Sequence, residues 1–93
     1  FSAEDGLAWG LVNRVCAPDK VVAEALETAQ AIADNAPLSV RQAKKSIHYG
    51  LQMDLLTGGR FEIEAYNRLV DTADRHEGVR AFNEKMKPRF EGK

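Results

Sequence analysis

The sequence predicts a mainly α-helical fold with one short strand near residues 11–15. The first observation is that apolar residues recur at helical spacing along most of the chain. The second is that LVNRV, residues 11–15, is rich in β-branched side chains and too short for a helix between Gly10 and Pro18, which indicates a short strand or an extended segment. With 44% hydrophobic and 29% charged residues, the composition is that of a globular chain.

The first two helices have recognisable start and stop residues. Ser2 precedes an apolar stretch and Asp5 takes the reciprocal place in an approximate capping box. This helix is expected to end near Gly10, because glycine readily adopts the left-handed conformation. Asp19 is predicted to cap the second helix, which stops before Pro37 because a residue preceding proline is pushed out of helical geometry.

Two further helices follow in the middle of the chain. Ser39 is predicted to cap the third helix, and the fourth is predicted to run from about Asp54 to about Thr72. Gly58 and Gly59 are poor helix residues, so they either interrupt the fourth helix or permit a close backbone contact.

A last short helix is predicted to begin at Asp74, with Glu77 at the reciprocal capping-box position, and to end before Pro88. Gly78 then falls in its first turn. Its apolar line is Val79, Phe82 and Met86. The apolar faces of the helices are together more than one small bundle can cover, so some of them are expected to meet another domain or subunit.

Charge and cysteine content exclude several functional classes. A net charge of −1 provides no broad attraction to nucleic acid or to an acidic membrane, and no apolar run is long enough to span a bilayer. Cys16 is the only cysteine, so no internal disulfide can form and a reducing compartment fits best. His48 and His76 have no companion ligands at short spacing, so no metal site is predicted.

No catalytic constellation is visible in the chain. Glu62 and Glu64 are two positions apart on a helix and so do not face each other, while Glu24 and Glu27 share a polar face that suits solvent. No serine lies in a G-x-S-x-G turn, and no glycine-rich phosphate loop is present. Catalysis, if any, is therefore expected to use residues outside this chain.

The sequence contains two separated motifs, AEDGLAWGLVNRV at the start and DRHEGVRAFNEKMKPRF near the end, with NAP and AKK between them. In this order they resemble the C-terminal part of the enoyl-CoA hydratase/isomerase family, the crotonase superfamily. The family patterns are A-x-x-A-x-x-x-G-L-V-N-x-V and D-x-x-E-G-x-x-A-F-x-E-K-R-x-P-x-F-x-G. The matching residues are Gly10, Leu11, Val12, Asn13, Val15, Asp74, Glu77, Gly78, Ala81, Phe82, Glu84, Lys85, Pro88, Phe90 and Gly92.

Two positions depart from the family pattern. Gly6 stands where the family usually has alanine, and Met86 replaces the usual arginine after the lysine. The second change removes a cation, together with any ionic contact that the arginine would make.

The resemblance implies a division of labour between this chain and sequence outside it. In crotonase-like proteins a larger N-terminal β/α core holds the oxyanion hole and, in hydratases, two glutamates that handle water and protons. Residues 1–17 would be the tail end of that core and residues 18–93 a helical oligomerisation domain, with the catalytic core absent. The implied partners are an acyl-CoA thioester and further copies of the chain, as a trimer or dimer of trimers. Coenzyme A is part of the substrate, and no separate cofactor is implied.

By motif position the resemblance assigns acyl-CoA binding to Phe82 and Lys85. Phe82 would border the acyl chain and Lys85 would approach the phosphates or adenine of CoA. On one helix these residues are three apart and so can flank one ligand, and lysine is a serviceable charge for phosphate. The competing interpretations are core packing for Phe82 and a solvated surface position for Lys85.

The activity implied for the parent protein is hydration of a 2-enoyl-CoA to a 3-hydroxyacyl-CoA, a reaction of fatty acid metabolism. Isomerase, dehydratase or thioester hydrolase activity remains open, as does a free-standing helical interaction module. Because the first residue is Phe1 rather than methionine, we expect the chain to be part of a longer protein. We expect it to be inactive alone, because the core that the resemblance implies for stabilising the enolate is missing from it. The expected location is the cytoplasm, or the mitochondrial matrix if a targeting segment lies upstream.

Overall fold

The computed structural model describes residues 1–93 and contains five α-helices, one 3₁₀ turn and no β-strand. The predicted mainly helical fold is thereby confirmed. The chain divides into two compact units, Phe1–Ala31 and Ile32–Lys93. The helices are α1 (Ala3–Ala8), α2 (Val21–Ala33), α3 (Pro37–Gly50), α4 (Leu55–Asn67) and α5 (Ala73–Asn83), and the 3₁₀ turn is Pro18–Lys20.

Helix α1 begins and ends as its sequence predicts. The Ser2 hydroxyl accepts a hydrogen bond from the Asp5 amide at 3.0 Å, and the Asp5 carboxylate accepts one from the Ser2 amide at 2.9 Å. These bonds lower the pKa of Asp5, with the backbone bond as the largest cause. At the other end Gly10 has a φ of +75°, and the Leu11 amide donates to the Gly6 carbonyl at 2.9 Å. This is a Schellman ending.

The strand predicted near residues 11–15 is absent, and this part of the prediction was wrong. Residues 11–15 form irregular chain after the end of α1, with bends at Leu11 and Asn13. A strand requires a neighbouring strand for its N–H and C=O groups, and no other strand exists in residues 1–93. The segment instead packs locally: the side chain of Val12 lies 3.8 Å from the Cβ position at Gly6.

Two predicted caps were also wrong, because in each case helical structure begins at a proline before the predicted cap: a 3₁₀ turn before α2, and α3 itself. Asp19 lies inside the 3₁₀ turn that begins at Pro18, with Ala17 as its N-cap. Ser39 lies inside α3, which begins at Pro37 with Ala36 as N-cap and no side-chain capping bond. Proline suits the first helical position, since its fixed φ is already helical and its missing N–H would have been unpaired there.

Helices α3 and α4 pack against each other. Helix α4 begins where the sequence predicts, and the Asp54 carboxylate caps it by accepting from the Thr57 hydroxyl at 2.7 Å and the Thr57 amide at 3.0 Å. These two bonds, the hydroxyl bond foremost, lower the pKa of Asp54. The rings of Tyr49 and Phe61 join the two helices with centroids 5.8 Å apart. Helix α4 continues unbroken through the two glycines and ends at Asn67, earlier than the predicted Thr72.

The described chain buries little of its apolar surface. Ala65 and Ala81 are its only buried hydrophobic residues apart from glycine, whereas Leu55 is 93% exposed. The expectation that the helices carry more apolar surface than this chain can cover is thus confirmed. None of the helices has both the length and the apolar character that crossing a membrane requires.

Candidate functional site

The motif residues near the end of the sequence lie on α5, on the turn that ends it, and on the segment that follows. We refer to residues 86–93 as the tail. Thr72, rather than Asp74, is the N-cap of α5: its hydroxyl accepts from the Arg75 amide at 3.3 Å. The predicted capping box of Asp74 and Glu77 was therefore wrong. The helix begins at Ala73, so Asp74 occupies its second position and its carboxylate is available for other donors.

Asp74 binds the returning tail. Its two carboxylate oxygens accept hydrogen bonds from the amides of Glu91 at 2.7 Å and Gly92 at 2.8 Å. Its own amide donates to the Lys93 carbonyl at 3.0 Å. Only 3% of Asp74 is exposed. A buried carboxylate is tolerated here because both oxygens have amide partners and because the first turn of a helix favours negative charge.

Glu77 forms a second attachment of the tail one helical turn further on. One carboxylate oxygen accepts from Arg80 Nε at 2.7 Å, and the other accepts from Arg80 Nη2 at 2.7 Å and from the Arg89 amide at 2.9 Å. The bonds from Arg80, followed by the bond from the Arg89 amide, lower the pKa of Glu77 from 4.5 to about 2. The same pairing raises the pKa of Arg80, which also bonds Glu84.

Two glycines lie at the contacts between the tail and the helices: Gly78 of α5 faces Phe90 of the tail, and Gly92 of the tail faces Pro37 of α3. A Cβ at Gly78 would lie 3.6 Å from Cε1 of Phe90, and a Cβ at Gly92 would lie 3.7 Å from the ring of Pro37. The neighbour that approaches Gly78 is therefore Phe90 of the same chain. Gly78 lies in the second turn of α5 rather than the first, because the helix begins at Ala73.

Lys85 lies beyond the end of α5, in the left-handed region with a φ of +54°, and no other residue except glycine has a positive φ. Its amide donates to the Phe82 carbonyl at 3.2 Å, and the Met86 amide donates to the Ala81 carbonyl at 2.9 Å. These two bonds form a second Schellman ending, with lysine where glycine is usual. The expectation that Phe82 and Lys85 lie three apart on one helix was thus wrong, since Lys85 is outside the helix.

The two predicted site residues are nevertheless neighbours at the end of α5, and both are exposed. Phe82 is 84% exposed, so it is not a core residue of this chain. Val79 and Met86 are also more than half exposed. We refer to these three residues, Val79, Phe82 and Met86, as the Phe82 patch.

Sequence reasoning missed the attachment of the tail by Asp74 and Glu77. A partial signal was available in Thr72, which is itself a good N-cap residue and stands before Asp74.

No group of three or more His, Cys, Asp or Glu side chains is placed to hold a metal ion in residues 1–93.

Comparison with known proteins covers the whole chain. The sequence model of the enoyl-CoA hydratase/isomerase family matches residues 1–93. The chain is 43% identical over 91 residues to Bacillus subtilis YngF, whose name places it among enoyl-CoA hydratases/isomerases; the match covers 98% of this chain and 35% of that protein. It is 39% identical over 87 residues to the short-chain-enoyl-CoA hydratase of Clostridium acetobutylicum, covering 94% of this chain and 33% of that one.

The fold matches as closely as the sequence. The crystal structure of enoyl-CoA hydratase from Bacillus anthracis aligns with a TM-score of 0.97 and 41% identity, over 100% of this chain and 36% of that chain. The chain therefore spans about a third of the length of the relatives it matches.

Proposed function

The chain belongs to the enoyl-CoA hydratase/isomerase family, and from this we propose that it completes the acyl-CoA pocket and the subunit interface of an enoyl-CoA hydratase. The parent protein would add water across the 2,3-double bond of an acyl-CoA thioester, giving a 3-hydroxyacyl-CoA. The oxyanion donors and the acid–base carboxylates would come from sequence outside residues 1–93. That assignment is consistent with relatives of which this chain covers only about a third.

One observation carries the proposal for the pocket: Phe82 is 84% exposed at the end of α5, at the position where the family motif has its phenylalanine. Exposing a whole aromatic ring to water forgoes about 2 kcal/mol of burial free energy. Clustered exposed apolar residues usually mark a binding surface, and Val79 and Met86 extend this one. An acyl chain or an apolar part of CoA would cover the Phe82 patch.

Lys85 supplies the complementary charge in this proposal. It lies three positions after Phe82, just beyond the end of α5. None of the five ion pairs in the chain involves it. Its ammonium group is therefore available for an external anion, and phosphate is a common partner of lysine. The CoA part of the substrate carries such phosphates.

The proposal for the subunit interface rests on a different surface, the exposed apolar residues of α3, α4 and the turn between them. Leu51 and Leu55 are 80% and 93% exposed. Away from the turn, a groove of about 440 Å³ between the two helices is lined by Ala43, Ile47 and Tyr66, among others. We propose that this surface is buried between copies of the protein, in a trimer or a dimer of trimers.

A chimera tests the pocket proposal. This chain would replace the matching segment of the Bacillus anthracis hydratase, and hydration of crotonyl-CoA would be followed spectrophotometrically. We expect an active chimera in which Lys85→Ala raises KM for crotonyl-CoA about tenfold, the size of one lost charged hydrogen bond. Lys87→Ala is the matched control, because Lys87 is also exposed and lies two positions further along the chain, but pairs with Asp34 at 3.5 Å. Equal effects of the two substitutions would contradict a specific role for Lys85.

The isolated chain provides the complementary tests. We expect no turnover of crotonyl-CoA by residues 1–93, and measurable turnover would show that the catalytic groups lie within them. We expect self-association through the α3–α4 surface in analytical ultracentrifugation at micromolar concentration. A clean monomer at these concentrations would contradict the proposed interface.

A further inference from the structure

We propose that Asp74 and Glu77 are positioning residues, which hold Lys85 in its left-handed conformation by fastening the tail to the first turns of α5. The functional side of this inference rests on the proposed role of Lys85 in binding CoA. Residues 74–93 form a closed loop: α5 ends at Asn83, the chain reverses at Lys85, and the tail returns to the start of the helix.

The fastening consists of contacts that are remote in sequence. Glu77 binds the Arg89 amide across 12 positions, and Asp74 binds the Glu91 and Gly92 amides across 17 and 18 positions. All three amides donate to carboxylate oxygens at 2.7 to 2.9 Å, the range of charge-assisted hydrogen bonds. They therefore hold the tail more strongly than neutral backbone bonds would.

Lys85 depends on this fastening because its backbone conformation is unfavourable on its own. A residue with a Cβ adopts the left-handed region reluctantly, and glycine is the usual residue at this point of a helix ending. The two Schellman bonds of Lys85 and Met86 are local, and Lys85 belongs to a segment that is free to fray once the tail is released. The attached tail removes the alternative conformations that would otherwise compete.

The side chain of Asp74 is committed to the tail. It is buried, it is not the cap of its own helix, and both of its carboxylate oxygens accept hydrogen bonds from tail amides. Burying a carboxylate is costly unless it is fully hydrogen-bonded. The arrangement is therefore a specific attachment of the tail rather than incidental packing.

The test uses the 93-residue chain with Asp74→Asn, which keeps the size of the side chain but removes its charge. Hydrogen exchange followed by NMR should show the amides of Glu91 and Gly92 losing about tenfold or more in protection, the effect of weakening a charged hydrogen bond. The strong intraresidue HN–Hα NOE of Lys85, the signature of a positive φ, should weaken in the same variant. Deletion of residues 91–93 should weaken this NOE as well, and serves as the test if Asp74→Asn does not fold.

Two comparisons distinguish positioning from general destabilisation. Glu84→Gln weakens a bond of Arg80 that is not part of the attachment of the tail by Asp74 and Glu77, so Lys85 should keep its NOE. The double variant Asp74→Asn with Lys85→Gly should regain protection at the Met86 amide, because glycine adopts the left-handed conformation without help. Released Glu91 and Gly92 amides with an unchanged Lys85 NOE would overturn the inference, and so would full protection of these amides in Asp74→Asn.

The inference and the proposed function fail in different measurements. The NOE and the exchange rates require no ligand, so they test positioning alone. If Asp74→Asn displaces Lys85 and the KM of the chimera is unchanged, positioning holds and the CoA contact of Lys85 is wrong. If KM rises about tenfold, as for a lost charged hydrogen bond, and Lys85 stays in place, positioning is wrong.

Discussion

The ring of Phe90 lies against the backbone of Gly78, with Cε1 3.6 Å from the position that a Cβ would occupy. That distance is an ordinary van der Waals contact, so alanine fits and a larger side chain does not. Because Gly78 is inside α5, Gly78→Ala should stabilise the chain by up to about 1 kcal/mol through helix propensity. Urea unfolding followed by circular dichroism would measure the change.

Gly59 provides the matched control for this prediction. It also lies inside a helix, α4, but a Cβ there would have no neighbour within 4 Å. Alanine should therefore stabilise at both positions, whereas leucine should stabilise only at Gly59. At Gly78, leucine should displace Phe90 and cost about 1–3 kcal/mol, as overpacking usually does. Equal stability of the two leucine variants would show that the contact with Phe90 carries no weight.

The parts of the fold that sequence predicted correctly depend on neighbours in the sequence. The two capping bonds between Ser2 and Asp5 join residues three positions apart, so the motif alone contains both partners. The same rule failed at Asp74, where D-x-x-E has the form of a capping box. Thr72 took the cap instead, and the partners of Asp74 lie 17 and 18 positions away, beyond the reach of any local pattern.

The sequence alone singled out the two candidate site residues, but not the turn of the backbone that positions them. The motif resemblance pointed to Phe82 and Lys85, and the structure places them together at the end of α5. The helix was expected to continue to Pro88, and it ends at Asn83. Its end was not readable because a lysine, rather than a glycine or asparagine, occupies the left-handed position.

The left-handed conformation of Lys85 predicts a conflict between stability and function. The conformation costs a residue with a Cβ roughly 1–2 kcal/mol, and substitution by glycine would remove this cost. Part of the resulting stabilisation is lost, because glycine also makes the unfolded chain more flexible. Lys85→Gly should therefore stabilise the chain by about 0.5–1 kcal/mol while weakening CoA binding. Denaturant unfolding gives the first quantity and the KM of the chimera gives the second.

Two control variants accompany this prediction. Lys85→Ala removes the same charge without relieving the backbone, so it should weaken CoA binding and bring no stabilisation. Lys87→Gly changes a residue without a positive φ, so it too should bring no stabilisation. A stabilised Lys87→Gly variant would show that glycine acts there through something other than the left-handed turn.

The corrected helix starts predict a difference between two hydroxyl residues. Thr72→Ala removes the cap of α5 and should cost about 1 kcal/mol of unfolding free energy. Ser39→Ala, at the position that the sequence alone suggested as a cap, should change stability by less than about 0.5 kcal/mol, because α3 begins at Pro37 without a side-chain cap. Thermal unfolding of both variants would compare them. A larger loss for Ser39→Ala than for Thr72→Ala would contradict the observed helix starts.

The Glu77 network predicts how the chain responds to acid. The pKa of Glu77 is lowered from 4.5 to about 2 in the folded chain by hydrogen bonds from Arg80 and the Arg89 amide. A lowered carboxyl pKa stabilises the fold above the unfolded value, and this contribution is lost as the pH falls from about 4.5 towards 2. Unfolding free energies measured across this range should fall less steeply in Glu77→Gln than in the unchanged chain. Asp5 and Asp54, whose pKa values are also lowered, should retain part of the slope. An identical slope in both proteins would show that Glu77 does not hold the tail in solution.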